Sequence, residues 1–258
     1  MEFLEKYLWL IPFLLAPLVA ALERYIVDRK FYLTSRDTYI YTFQFFVLLT
    51  NLYFSFYLMM PLVKMVVPYE LISISELHIP QATILLLSFL LIDLAHYLSH
   101  RMHHKIPLLW RLHRLHHADK TFDLMTVFLN HPLEFFSASI FLTIFFVIFD
   151  IPVKGMVTYG IIFSIYTIFE HTKILIPDKI NQLLSYLFIT PNLHRIHHSI
   201  DYKESNRNFG IVFSLWDRLF TTFTEKTNKS LTTISFGIEQ KQTPDKFDLK
   251  GMLINPFI

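Results

Sequence analysis

The sequence predicts an all-α, polytopic membrane protein with about four to five membrane-embedded helices. Three observations predict it. Long apolar runs carry no charge, the longest being the 24 residues Tyr39 to Leu62. Eight of the thirteen histidines gather at helical spacing beside these runs rather than inside them. Basic residues crowd the connectors on one side of the runs and are missing from the loop on the other. A hydrophobic fraction of 53% and a mean hydropathy of +0.41 agree with this class.

Taken in order, Tyr7 to Leu22 is apolar and uncharged. Glu2 and Glu5 against Lys6 give it the wrong preceding charge for a secretory signal, so it reads as a retained membrane helix. Arg24 to Asp37 is a polar connector with Arg24, Arg29, Lys30 and Arg36. Tyr39 to Leu62 reaches about 36 Å as a helix, enough for a tilted crossing, with Tyr39, Tyr41 and Tyr69 suited to the interfaces. Val66 to Gln81 carries Glu70 and Glu76 but no Lys or Arg. Ala82 to Ile92 opens a third apolar helix that runs into Asp93 and the histidines. Leu133 to Phe149 and Val153 to Phe169 are joined by so few residues that they form an antiparallel hairpin. From Glu170 onward the chain is mixed and polar. The bias of basic residues places the histidines on the cytoplasmic face.

Composition excludes several chemistries. Without cysteine there is no disulfide, no thiolate zinc site and no iron–sulfur cluster. Five glycines form neither a phosphate loop nor a dinucleotide fingerprint, so any reductant arrives through a partner.

The stretch Asp93 to Asp119 holds seven histidines, and its HRLHH (His113 to His117) returns as HRIHH at His194 to His198. Positions i, i+3 and i+4 share a helix face, so His113, His116 and His117 form one cluster and His194, His197 and His198 another. His100 and His104 form a third. Neutral imidazole is the commonest metal ligand, and an all-nitrogen site suits iron, copper or zinc. Eight histidines exceed what one tetrahedral zinc takes, whereas two metals use them fully. The expected cap is therefore cytoplasmic, helical and histidine-rich, and holds a di-metal site. His131, just before the hairpin, and His171, just after it, reach the same side as further ligands; the plainer readings are a helix start and a cation near a helix end. His96 shares the His100 face, His103 points away and reads as solvated, and His78 lies in the far loop.

These residues resemble the fatty acid hydroxylase/sterol desaturase superfamily. The resemblance rests on His100-Arg-x-x-His104, His113-x-x-His116-His117 and His194-x-x-His197-His198. It extends through Asp93 to Trp110, His131-Pro-Leu-Glu134, Glu170-His171, Thr190 to His194, Asn208-Phe-Gly210, Trp216 to Phe220 and Leu253 to Phe257. Asn130 departs from the arginine frequent before His131 in bacterial relatives. The resemblance covers roughly residues 85–258, and it divides the chain into membrane helices and connectors (1–81) and a fatty acid hydroxylase-like catalytic domain (82–258).

The resemblance implies a membrane-bound non-haem di-iron oxygenase that hydroxylates or desaturates a lipid C–H bond. Its cofactors would be two iron ions, with O2 as co-substrate. The implied ligands are His100, His104, His113, His116, His117, His194, His197 and His198, joined by His131 and His171. Asp93, Asp119, Glu134, Glu170 and Asp217 are placed to orient ligating rings by accepting their second N–H. Electrons would come from a ferredoxin or a b-type cytochrome with its reductase, docking on Arg101, Lys105, Arg111, Arg114 and Lys120. The membrane would be the inner membrane of a bacterium or the endoplasmic reticulum of a eukaryote. The competing classes are a zinc-dependent membrane hydrolase, which would show HExxH where this chain has none, and a non-catalytic metal-binding or transport protein, which would place its ligands within the spans.

Overall fold

The structure, a computed structural model, describes residues 11–28, 32–54, 72–238 and 247–258, with single residues 30, 57, 61 and 65 between them. The opening of the run Tyr7 to Leu22, parts of the end of Tyr39 to Leu62, and residues 66–71 with Tyr69 and Glu70 lie outside the described residues. Among the described residues the regular elements are helical, and strand pairing is limited to isolated bridges of Phe188 with Phe213 and Ser199 with Phe236.

Two helices precede the histidines, α1 (Ile11–Asp28) and α2 (Ser35–Phe54). Helix α3 (Gln81–Lys105) follows, then α4 (Pro107–His117). A proline excludes helical geometry from the residue before it, and Ile106, before Pro107, is extended at φ −93°, ψ 120°. This break lets α4 fold back on α3, so that the last turn of one helix meets the last turn of the other. A short 3-10 turn (Leu124–Phe128) leads to the hairpin of α5 (Pro132–Ile148) and α6 (Val153–Glu170). The hairpin reverses at Asp150, a non-glycine residue at φ 42°. The remaining helices are short: α7 (Asp178–Ser185), α8 (Pro191–His197), α9 (Tyr202–Ser205), α10 (Leu215–Leu219) and α11 (Leu249–Ile254).

Helix α3 packs along both arms of the hairpin. One core, around Ile92, Ile151 and Tyr159, fills the far end, where Ile74 also packs. There Ser73 and Ser75 donate to Asp150, and Ile72 N–H donates to the Ile148 carbonyl at 3.0 Å. A second core joins α1, α2 and α4 to the 3-10 turn through Ala20, Phe43, Val47, Leu115 and Met125. By length and composition, α3 is the helix among the described residues that can cross a membrane; α5 is apolar but shorter.

The polar connector Arg24 to Asp37 is partly helical and partly buried, because α1 continues to Asp28 and Arg24 is enclosed. Its guanidinium pairs with Asp37 at 2.6 and 2.8 Å and with Asp123 at 2.9 Å. Arg36 adds pairs to Asp119 and Asp123. This charged cluster ties α1 and α2 to the loop after the HRLHH segment, a pairing over about ninety residues that local sequence pattern cannot reveal.

Close approach of α3 and α6 depends on Gly155, where an added Cβ would stand 2.6 Å from Ser88 Cβ. Gly155→Val is expected to cost about 1–3 kcal/mol through overpacking. Ser88→Gly should recover part of that loss in the double mutant, as read by thermal unfolding in detergent.

Candidate metal centre

The histidines converge in two buried groups. The first comprises His100, His104, His113, His117 and His197; the second comprises His116, His171, His194 and His198. Within each group the ligand nitrogens lie within 4.8 Å of one another. Nitrogens bound to one ion at about 2.1 Å stand at most about 4.2 Å apart, so each group needs only small inward shifts to close on a metal.

Helix geometry explains the partition. A step of four residues turns about 40° past a full circle, whereas a step of three falls about 60° short. In α4 the i, i+4 pair His113 and His117 stays together, and His116 points to the other group. At α8 the pair His194 and His198 stays together, and His197 crosses over. His100 and His104, in the last turn and a half of α3, join the first group as another i, i+4 pair.

Hydrogen bonds set the tautomers. A carbonyl only accepts, so the ring nitrogen facing it carries the proton. His100 Nδ1–H donates to Phe209 at 2.9 Å and His197 Nδ1–H to Arg207 at 2.8 Å, while His113 Nδ1 lies 2.6 Å from the Glu134 carboxylate. The Nε2 atoms of His100, His104, His113, His117 and His197 are buried without a protein partner. In the second group His171 Nδ1–H donates to Thr167 at 2.7 Å, and its Nε2 lies 3.1 Å from His116 Nε2 and 3.0 Å from His194 Nε2. Lone pairs brought this close without enough protons to share are at odds, and a cation at their common point resolves the conflict. The donor set fits a metal in each group.

Charge state agrees. Burial pushes His113 and His197 down to about 3 and His171 down to about 4. Burial and then the neighbouring imidazoles hold His116, His117, His194 and His198 well below the ordinary range. All seven are therefore neutral near pH 7, as metal ligation requires.

The fatty acid hydroxylase family model matches residues 85–222, more than half of the chain and the whole of this centre. The chain belongs to the fatty acid hydroxylase family. Among curated proteins it is similar to human alkylglycerol monooxygenase, at 29% identity over 147 residues, 55% of this chain and 31% of that protein. It is 27% identical over 155 residues to the ornithine lipid hydroxylase OlsE of Rhizobium tropici, 60% of this chain and 46% of that protein. The fatty acid hydroxylase vlmA of a Lecanicillium species is 28% identical over 160 residues, 57% of this chain and 44% of that protein. The chain thus spans a third to a half of the length of the curated relatives it matches. No solved structure gives a significant match.

In this member of the family, His131 stands outside both groups. It caps α5: Nδ1 accepts from Leu133 N–H at 3.2 Å, and Nε2 donates to the Leu253 carbonyl at 3.2 Å. Both ring nitrogens are taken, so the plainer reading, a helix start, describes it. His171 joins the second group. His103 is buried rather than solvated, bonded to the Ser99 carbonyl at 2.7 Å and to Ser137 at 2.8 Å. His96 stacks against Tyr159 and Phe163, with Nδ1 donating to Ile92, and His78 is exposed.

Of the five acids expected to orient rings, Glu134 bonds a histidine directly. Glu170 lies 3.8 Å from both His171 Nδ1 and His194 Nδ1. The other three serve the scaffold. Asp93 accepts from Tyr159, Trp216 and the backbone at Val212 and Phe213, and Asp119 pairs with Arg36. Asp217, pushed up to about 6 by burial against its hydrogen bonds, accepts from Thr222 and from the Phe209 and Gly210 N–H groups.

The expected basic docking array also changes. Arg114 is buried and, like Arg111, is spent on carbonyls of the final segment, Asn255 to Ile258. Lys105 reaches Asn206, and Arg101 lies over Phe220.

Glu134→Ala is expected to weaken metal binding roughly 10- to 100-fold, because His113 loses the partner that fixes its ring. His131→Ala should leave bound metal unchanged. Metal content after graded chelation checks both.

Proposed function

We propose that this chain is a membrane-bound di-iron oxygenase that oxidises a C–H bond of a lipid. The observation that carries the proposal is the junction of the two histidine groups with a cavity of about 490 Å³ whose open surface is mainly apolar. His100 and His113 of the first group and His116, His171 and His194 of the second face this cavity, so a bound chain would meet both metals. Phe135, Ala138, Leu142, Phe163 and Ile168 also line it and suit an acyl or alkyl chain. The names of the relatives, an alkylglycerol monooxygenase, an ornithine lipid hydroxylase and a fatty acid hydroxylase, support a lipid substrate.

The first group would hold one iron through five imidazoles, and the second would hold the other through four. When bound, the irons would supply reductive activation of O2, which with two electrons and two protons either adds one oxygen atom to the lipid and releases one water or desaturates it and releases two. The residues do the rest. Carbonyls of Phe209, Arg207 and Thr167 hold ring protons outward, Glu134 holds His113, and Phe128 and Phe135 add apolar surface to the cavity. A ferredoxin or a b-type cytochrome with its reductase would deliver the electrons.

A multi-pass placement in the bilayer is part of the proposal, with four to five spans and the histidines on the cytoplasmic face. Large apolar side chains exposed on α2 (Phe45, Phe46, Leu49, Tyr53) and on the hairpin (Ile140, Ile144, Val157, Ile161, Ile165) support it, since a water-facing surface rarely carries a belt of this kind.

Iron-loaded protein is expected to hold two irons per chain. His117→Ala and His198→Ala should each remove one and abolish turnover while leaving expression intact. Iron analysis and oxygen-dependent lipid products, either oxygenated or desaturated, check this. A single zinc indifferent to both substitutions would sink the proposal.

A further inference from the structure

The cavity is bounded on one side by α2, which turns Gln44, Leu48 and Asn51 toward it. Steps of four and three residues keep these side chains on one face over about 10 Å of helix. Two amides in a stretch that otherwise reads as membrane-embedded are costly unless they serve a purpose.

Most polar groups around the cavity have turned back on their own chain. Ser139 donates to the Phe135 carbonyl at 2.7 Å, Ser164 to Gly160 at 2.8 Å, and Thr167 to Phe163 at 3.0 Å. Asn51 Nδ2 donates to Val47 at 2.9 Å and Asn130 Nδ2 to Val127 at 2.6 Å. Gln44 differs. Its Oε1 is buried and accepts from no donor. The free oxygens of Glu134 and Glu170 also lie in this lining, but those carboxylates adjoin the histidines. Away from the metal groups, the Gln44 carbonyl is the buried acceptor without a partner among the described lining residues.

Its level in the cavity is known from its neighbours. Phe43 and Val47, on either side of Gln44, share one core with Leu115 of α4 and with Leu124, Met125 and Phe128 of the turn that follows it. Gln44 therefore lies toward the histidine end, while Asn51 and Leu142 lie deeper.

We propose that Gln44 accepts a hydrogen bond from a hydroxyl of the substrate, so that the cavity selects lipids with a hydroxyl near the oxidised carbon over plain hydrocarbon chains. The hydroxyl supplies the donor that Oε1 lacks, and the chain beyond it runs past Leu48 toward Leu142. A buried acceptor discriminates strongly because a ligand without the donor leaves it unpaired. This assignment rests on reading the cavity as the lipid site.

The test is equilibrium binding to metal-loaded full chain without reductant, so that no turnover intrudes. The probes are 1-O-hexadecylglycerol and hexadecyl propyl ether, the same molecule with both hydroxyls replaced by hydrogen. Gln44→Leu and the near-isosteric Gln44→Met should each weaken the glycerol ether roughly tenfold and leave the propyl ether unchanged, with metal content as in wild type. Equal weakening of both lipids, or no change in either, overturns the assignment. Failure of the oxygenase reading would appear separately, as no oxygen-dependent product from either lipid once reductant is added, with the binding difference intact.

Discussion

Everything at this centre depends on where the imidazole protons sit. A metal is held only by ring nitrogens whose lone pairs face inward, and that requires something fixed behind each ring to take the other proton. Here the fixtures are largely backbone carbonyls, those of Phe209 and Arg207 among them. Those two carbonyls belong to a short irregular segment with Asn208 at φ 54°. Two buried polar side chains hold that segment. Asp217 accepts from the Phe209 and Gly210 N–H groups at 2.8 and 2.7 Å, and Asn208 bridges Leu193 and Thr224. Asp217 also accepts from Thr222, whose hydroxyl lies 2.9 Å from Tyr97 on α3. The carboxylate thus acts on His100 and His197 through the chain it anchors, without touching either ring.

The same logic recurs for the other charged groups. Asp93 lies inside α3, yet it is surrounded by donors from Tyr159, Trp216, Val212 and Phe213, which lock the α3–α6 pair to the segment before α10. Arg24 and Arg36 hold Asp37, Asp119 and Asp123 together. Glu23 adds to this by accepting from the backbone N–H groups of Leu124 and Lys173, which ties α1 to the segments after α4 and α6. Buried charges are costly alone and tolerable when fully partnered, so this cluster fixes the loop between the histidine segments in one arrangement.

Much of this was legible in the sequence. Helical spacing identified the three histidine clusters, the hairpin is written in local pattern, and the family resemblance matched the family model. The clusters were grouped by shared face, however, whereas the structure separates His116 from His113 and His117, and His197 from His194 and His198. The 100° step contains that information, but only once a second set of rings arrives on the far side of each helix. His131 was misjudged for a related reason. Its place before Pro132 signalled both a ligand and a cap, and only the position of Leu253 decides between them. Gln44 gave no signal at all, because one amide in an apolar helix is read by what its carbonyl fails to meet.

The hairpin shows why the two groups sit side by side. Its arms, 17 residues in α5 and 18 in α6, are nearly equal in length, so the start of one and the end of the other return to one level. Each arm delivers a carboxylate there: Glu134 to His113 of the first group, and Glu170 toward His171 and His194 of the second. The reversal at Asp150 is pinned by Ser73 and Ser75, so the levels cannot slip relative to each other. Shortening either arm by one residue would turn its terminal carboxylate by about 100° and shift it by about 1.5 Å, taking it off its group. The length of a largely apolar hairpin is in this way a geometric condition on the candidate metal centre.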